Sequence, residues 1–181
     1  MRLENMNEKP ILRNETTADR ATVRVVHERA FARKDEADLV QQLHQEGVIL
    51  ASWVAEIGGI AEIGGQIVAS IVFSRIFVKS GENSFPAVAL APLAVLPQHQ
   101  RKGIGAMLVV HGLDRLQRAG ESIVLVLGDP GYYSRFGFSA EKAEAIVSPF
   151  PPAHFMALDL HPGALQGVRG RVHYPAAFQI D

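Results

Sequence analysis

A chain of 181 residues holds one domain with a sizeable core and is short for two. Hydrophobic residues make up 48% and charged residues 20%, which excludes a disordered chain, and a net charge of −1 gives no general attraction to nucleic acid. The absence of cysteine excludes disulfides, thiolate metal sites and a cysteine nucleophile, and fits a reducing cytoplasm.

Met1 to Pro10 mixes charged and amide residues without an apolar centre, so it does not read as a signal peptide. Residues 1–9 are expected to be a flexible lead into a single domain over 10–181. No apolar run reaches the roughly 18 residues of a membrane span, so no membrane partner is expected and a cytoplasmic location is the default.

Ile11 to Asn14 reads as a first strand, and Thr17 or Asp19 can cap a helix running towards Phe31. A second helix is predicted from Asp35 to Glu46, with Gly47 as its stop. Strands follow at Val48 to Ile57 and Gln66 to Lys79, rich in Ile, Val and Phe. Between them Glu56-Ile57-Gly58-Gly59 recurs as Glu62-Ile63-Gly64-Gly65, which reads as an extended hairpin loop. The next strand, Phe85 to Leu96, contains Pro92; lacking an N–H, this residue should mark a bulge or an opening in the sheet. Helical periodicity returns from Gly103 to Ala119. Ser122 to Leu127 reads as a buried strand, Gly131 to Phe136 as a short helix, and Phe138 onwards as extended chain. A strand at Phe155 to Leu160 precedes a tail of proline- and glycine-rich connections. Strands mixed with helices and no linker give one α/β domain.

The strand ending at Leu96 runs through Pro97-Gln98-His99 into Gln100-Arg101-Lys102-Gly103-Ile104-Gly105-Ala106, and a helix starts at once. The first N–H groups of a helix lack intrahelical partners and lie at the positive end of its dipole. Two glycines let an anion approach the backbone closely, with Arg101 and Lys102 at the rim. The fit to better-known phosphate loops is poor. A dinucleotide fingerprint requires glycine where Leu108 stands and an acid near Leu125, and a Walker loop requires Lys-Ser or Lys-Thr where Ala106-Met107 stand. On the loop alone, a helix start with solvated basic residues competes evenly with an anion site.

Gln100-x-x-Gly103-x-Gly105, preceded by Leu93-Ala94-Val95-Leu96-Pro97, resembles the acetyl-CoA signature of the GNAT superfamily of N-acetyltransferases. Downstream, Gly128-Asp129-Pro130-Gly131-Tyr132-Tyr133-Ser134-Arg135-Phe136-Gly137-Phe138 resembles the Tyr-x-x-x-Gly-Phe element that closes the coenzyme site there, and is most similar to its YhbS-type bacterial members. The resemblance covers roughly residues 10 to 160.

The resemblance implies a central mixed, mostly antiparallel sheet splayed between two parallel strands, with helices on both faces. It implies acetyl-CoA as cosubstrate, no metal, and direct attack of a primary amine on the thioester, the acceptor being a small molecule or a protein amine. Pantetheine would pair with backbone at Leu93, Ala94, Val95 and Leu96, and Arg101 to Ala106 would hold the pyrophosphate. An N–H of Leu93, Ala94 or Val95 could polarise the thioester carbonyl, since Pro92 has none. Tyr133 matches the tyrosine that protonates the departing thiolate, with Tyr132 beside the coenzyme.

The base is not legible. Val88 to Val95 contains no acid, Asp129 is better read as a helix cap, and Glu82 lies in a turn. The seven histidines show no metal spacing; His99 and His111 read as surface residues, and Trp53 and Phe73 as core. Arg169-Gly170-Arg171 reads as a solvated turn. The acceptor pocket is expected from the Asp35 to Glu46 helix, the Ser80 to Ser84 loop and the C-terminal segment, and exposed strand edges leave a homodimer possible. Two other classes stay open: a non-catalytic acyl-CoA-binding module and, more remotely, a dinucleotide oxidoreductase.

Overall fold

The computed structural model describes residues 9–58 and 65–180. Of the expected N-terminal lead and repeat loop, residues 1–8 and 59–64 therefore lie outside the described residues. In chain order the elements are β1 (Ile11–Asn14), α1 (Arg20–Phe31), α2 (Asp35–Glu46), β2 (Ile49–Ile57), β3 (Gln66–Ser80) and β4 (Asn83–Val95). They are followed by α3 (Ile104–Arg118), β5 (Ile123–Leu127), α4 (Pro130–Tyr133), β6 (Ile146–Val147), β7 (Phe155–Asp159) and β8 (Gly170–His173).

The strands form one sheet in the order β1-β2-β3-β4-β5-β7, antiparallel except where β4 meets β5. This is the expected mixed, mostly antiparallel sheet. β8 lies along the end of β3, with Val172 opposite Val78, and pairs in parallel with β6. The turn expected around Arg169-Gly170-Arg171 is therefore a strand entry. Gly170 is required there, because a Cβ on it would lie 2.1 Å from the Lys79 carbonyl oxygen.

Side chains alternate across a strand, so β3 serves two layers. On one face Ser70 and Val72 meet α1 and α2 through His27 and Leu43. On the other, Phe73 lies under α3, where a Cβ on Gly112 would approach its ring to 2.5 Å. Glycine at 112 lets the helix settle onto Phe73 and Trp53. His111 is partly buried and packs edge-on to Trp53 at 5.4 Å, which gives it a packing role rather than a purely surface one.

A 3-10 turn over Thr17–Asp19 leads into α1, and its capping box joins Thr16 and Asp19, so the capping threonine is Thr16 rather than Thr17. Arg13 clamps Asp19 at 2.7 Å and Glu56 at 2.8 Å, tying β1, β2 and the helix start together.

Pro92 interrupts β4 as expected. Ile71 and Phe73 of β3 face Leu93 and Leu90 of β4, so β4 carries an extra residue at Ala91-Pro92, whose peptide bond is cis. Pairing between β4 and β5 is confined to Val88–Val124 and Ala89–Leu125. Beyond Ala89 the two strands part, and the edge of β4 from 90 to 95 faces the gap.

His27 is fully buried, with Ser70 Oγ 3.4 Å from its Nε2. Burial pushes its pKa down from 6.5 to about 4, against a small upward pull from Glu36. The folded protein thus holds a neutral imidazole, whereas the unfolded chain binds a proton below about pH 6.5. Stability from this site is full above pH 6.5 and is lost as pH falls towards 4, by up to about 3 kcal/mol. Urea titrations at about pH 7 and about pH 4.5 should show a smaller drop in His27→Gln than in the parent chain. Equal drops would show that His27 does not carry the effect.

Candidate functional site

The parted strands open two cavities that meet at Leu93. The outer cavity, about 620 Å³, lies over the junction from β4 to α3. Leu93, Val95, Gln100, Arg101, Gly103, Ile104, Gly105, Ala106, Asp129 and Tyr132 all line it, so the two sequence motifs converge on one space. Ala94 and Leu96 turn their side chains into the core, and the Leu96 N–H donates to the Val68 carbonyl beside β3, so the backbone that faces the gap is that of Leu93 and Val95. Lys102 is exposed beside the cavity rather than in its wall.

Backbone conformation shapes the loop. Gly103 caps α3 with φ of 83°, and Arg101, two residues earlier, has φ of 59°. Few non-glycine residues adopt this left-handed region, and its occurrence in a loop over a cavity points to a functional constraint. The first α3 backbone hydrogen bond runs from Met107 N–H to the Gly103 carbonyl. The N–H groups of Ile104, Gly105 and Ala106 therefore have no acceptor within the helix and face the positive dipole end. Arg101 and the half-buried His99 add to the lining. His99 is drawn down in pKa by burial and then by Lys102. It belongs to the cavity wall, not simply to the surface. Chemically, the arrangement suits an anion.

Gln100 donates from Nε2 to the Val95 carbonyl at 3.0 Å, tying loop to strand. Asp129 accepts from Gly131 N–H at 3.0 Å, the capping role expected for it, while also lining the cavity. Tyr132 closes the space from across the gap: a Cβ on Gly105 would lie 2.8 Å from its hydroxyl. Burial raises the Tyr132 pKa, while Arg135, 4.4 Å above the ring, pulls it down. Arg135 is a second cation in this wall that the sequence reading passed over, although it sits inside the downstream motif.

Tyr133 belongs to the other space. It lines an inner cavity of about 310 Å³ with Leu90, Pro92, Leu125 and Leu127 from the parted strands. Its ring packs on Gly128, where a Cβ would lie 2.4 Å from it, and edge-on to Phe138 at 5.8 Å. Burial, then the neighbouring Tyr132, pushes the Tyr133 phenol well above its ordinary pKa. It is a neutral O–H donor across the physiological range.

The rest of the inner wall comes from distant parts of the chain. Phe31, Glu36 and Leu39 reach it from α1 and α2, and Phe150, Tyr174 and Phe178 from the C-terminal segment. The second helix and the tail thus both line this cavity. Ser80 to Ser84 is not in either wall: it forms the tight tip of the β3–β4 hairpin, with Glu82 exposed. Glu36 is the residue that sequence reasoning missed. Nothing local marks it among the acids of the first α2 turn, where Asp35 and Asp38 complement the helix dipole equally well. Among the described residues no cluster of His, Asp and Glu could hold a metal ion, and no helix is long and apolar enough to cross a membrane.

Comparisons with known proteins bear on the family and the fold. The Acetyltransferase (GNAT) domain family matches residues 12–140. The uncharacterized N-acetyltransferase YhbS of Escherichia coli K12 is 32% identical over 170 residues, covering 93% of this chain and 98% of that protein. The crystal structure of Escherichia coli YhbS in complex with CoA superposes with a TM-score of 0.86 at 31% identity, covering 96% of this chain and 93% of that one. A GNAT family acetyltransferase from Brucella melitensis in complex with acetyl-CoA gives 0.77 at 32% identity, covering 94% and 99%.

The Gly128–Tyr133 contact leaves no room for a methyl group. Gly128→Ala should lower stability by about 1–3 kcal/mol, and most of that loss should vanish when the same change is made in a Tyr133→Ala background. Additive losses in a thermal double-mutant cycle would show that Tyr133 does not pack there.

Proposed function

The chain belongs to the GNAT acetyltransferase family, and from that membership we propose that it transfers an acetyl group from acetyl-CoA to a primary amine by direct attack on the thioester. The observation that carries the reading is the open β4 edge, which leads from the α3 amide cradle to a cavity holding a partly buried tyrosine. The two relatives of known structure bind CoA and acetyl-CoA, and the cradle suits the same ligand here.

The N–H groups of residues 101–106 hold the pyrophosphate, with Arg101 and Arg135 neutralising its charge. The pantetheine arm extends past Leu93, pairing with the backbone of Leu93 and Val95 that faces away from β3, as an added half-strand. Pairing at the Val95 carbonyl displaces the Gln100 amide that now donates to it. The thioester then reaches the inner cavity beside Tyr133.

There the amine lone pair forms the C–N bond, the C–S bond breaks, and the leaving sulfur takes a proton. A phenol raised above its usual 10 is a weaker acid than a thiol of about 8.5. Tyr133 therefore gives up its proton only as negative charge builds on sulfur, and recovers one released from nitrogen to solvent. Tyr132 and Asp129 shape the coenzyme side of the gap.

A coenzyme-binding module without turnover is the second reading, favoured by the absence of any acid on β4 from 83 to 95. Free-thiol release with added amines separates the two: tight CoA binding with no release above hydrolysis would establish the module.

Gly103→Val places a branched side chain at φ of 83° over the cradle, and calorimetry should show CoA affinity reduced at least about 10-fold. Unchanged affinity would remove the pyrophosphate assignment. Tyr133→Phe should lower kcat about 10²-fold or more while coenzyme affinity stays near the parent value; wild-type turnover in that variant would end the acid role.

A further inference from the structure

The acceptor side of the inner cavity has a distinctive chemistry. Leucines, alanines, Pro92 and five aromatic rings supply nearly all of its lining, and Glu36 is the one charged residue among the described residues that line it. Phe150, Tyr174 and Phe178 form a connected aromatic wall: Tyr174 lies 5.8 Å from Phe150 and 4.9 Å from Phe178. Phe31 also lines the cavity, its ring stacked at 6.3 Å on that of buried His27. These are packed rings rather than mobile surface side chains.

The Glu36 side chain is 14% exposed, and its carboxylate is engaged by Arg33, whose own side chain is 61% exposed. Arg33 Nε reaches both Glu36 oxygens, at 3.1 and 3.0 Å. An ion pair with one solvated partner contributes little stability, so Arg33 can yield to a competing cation. A carboxylate also offers about four acceptor positions, leaving capacity for a second donor. The volume, about 310 Å³, sits at the lower end for small-ligand pockets and is shared with the thioester end of the coenzyme.

Building on the acetyl-transfer reading above, we propose that the acceptor is a primary monoamine on an apolar aryl or alkyl body, with its nitrogen bound by Glu36 and its body against the Phe150–Tyr174–Phe178 wall. A ring or short alkyl chain matches this wall. A second ammonium group or a dense set of hydroxyls would be buried there without partners, which is strongly unfavourable. Glu36 acts by holding the nitrogen, because a carboxylate is a poor base towards an ammonium of pKa about 10. The ammonium loses one proton to solvent before attack. The nitrogen loses its second to solvent as the C–N bond forms, and sulfur leaves with the proton supplied through Tyr133. The balance is ammonium plus acetyl-CoA giving amide, CoA and one released proton.

The test is thiol release by the full chain with acetyl-CoA and four acceptors: phenethylamine, hexylamine, spermidine and a lysine-containing peptide. Phenethylamine and hexylamine should show kcat/KM at least about 10-fold above the other two. Glu36→Gln should raise KM for phenethylamine about 10-fold or more while KM for acetyl-CoA stays unchanged. Preference for spermidine or the peptide, or an unchanged amine KM in Glu36→Gln, would overturn this acceptor assignment and leave acetyl transfer standing. Acetyl-CoA binding with no turnover of any acceptor would instead remove the acetyl-transfer reading, and this assignment with it.

Discussion

The feature on which the site depends is the parting of β4 from β5. The two strands pair only at Val88–Val124 and Ala89–Leu125, and then β4 bulges at Ala91-Pro92. A residue without an N–H at the divergence, with an extra residue in the strand, leaves a length of β4 edge with unused backbone groups. An unpaired edge inside a fold is usually covered or paired. Here it borders a gap with one cavity on each side of Leu93. β4 nevertheless stays registered on β3 as far as Val95, and Leu96 N–H donates to the Val68 carbonyl, so the open edge is rigidly backed.

The two cavities divide the chemistry by polarity. The outer one gathers helix N–H groups, Arg101 and Arg135, suited to a multiply charged anion. The inner one is apolar with a single carboxylate and two phenols, suited to a neutral reaction centre and an amine. Adjacent tyrosines serve different spaces: Tyr132 meets Gly105 in the outer wall and Tyr133 packs on Gly128 in the inner one. A short helical turn capped by Asp129 sends neighbouring side chains in different directions, and the rings lock each other edge-on at 5.0 Å.

Much of this was legible in the sequence because it is local. The bounds of α1 and α2, the interruption at Pro92 and the convergence of Gln100–Gly105 with Asp129 and Tyr132 follow from caps, period and contiguous motifs. Glu36, Phe150, Tyr174 and Phe178 could not be read that way. They meet only because α2 and the tail pack over the same end of the parted strands, and each looks ordinary in its own segment. β8 was missed for a related reason: a four-residue strand among glycines and prolines has too little pattern, and only pairing with the end of β3 fixes it.

Amide hydrogen exchange with and without acetyl-CoA tests the central claim most directly, because it reads the backbone groups that the coenzyme is said to engage. Protection is predicted at the amides of residues 101–106 together with Leu93 and Val95 of β4, within one saturable titration. Protection confined to another region, such as the separate cavity between α1 and α2 lined by Glu15 and His44, would contradict the account.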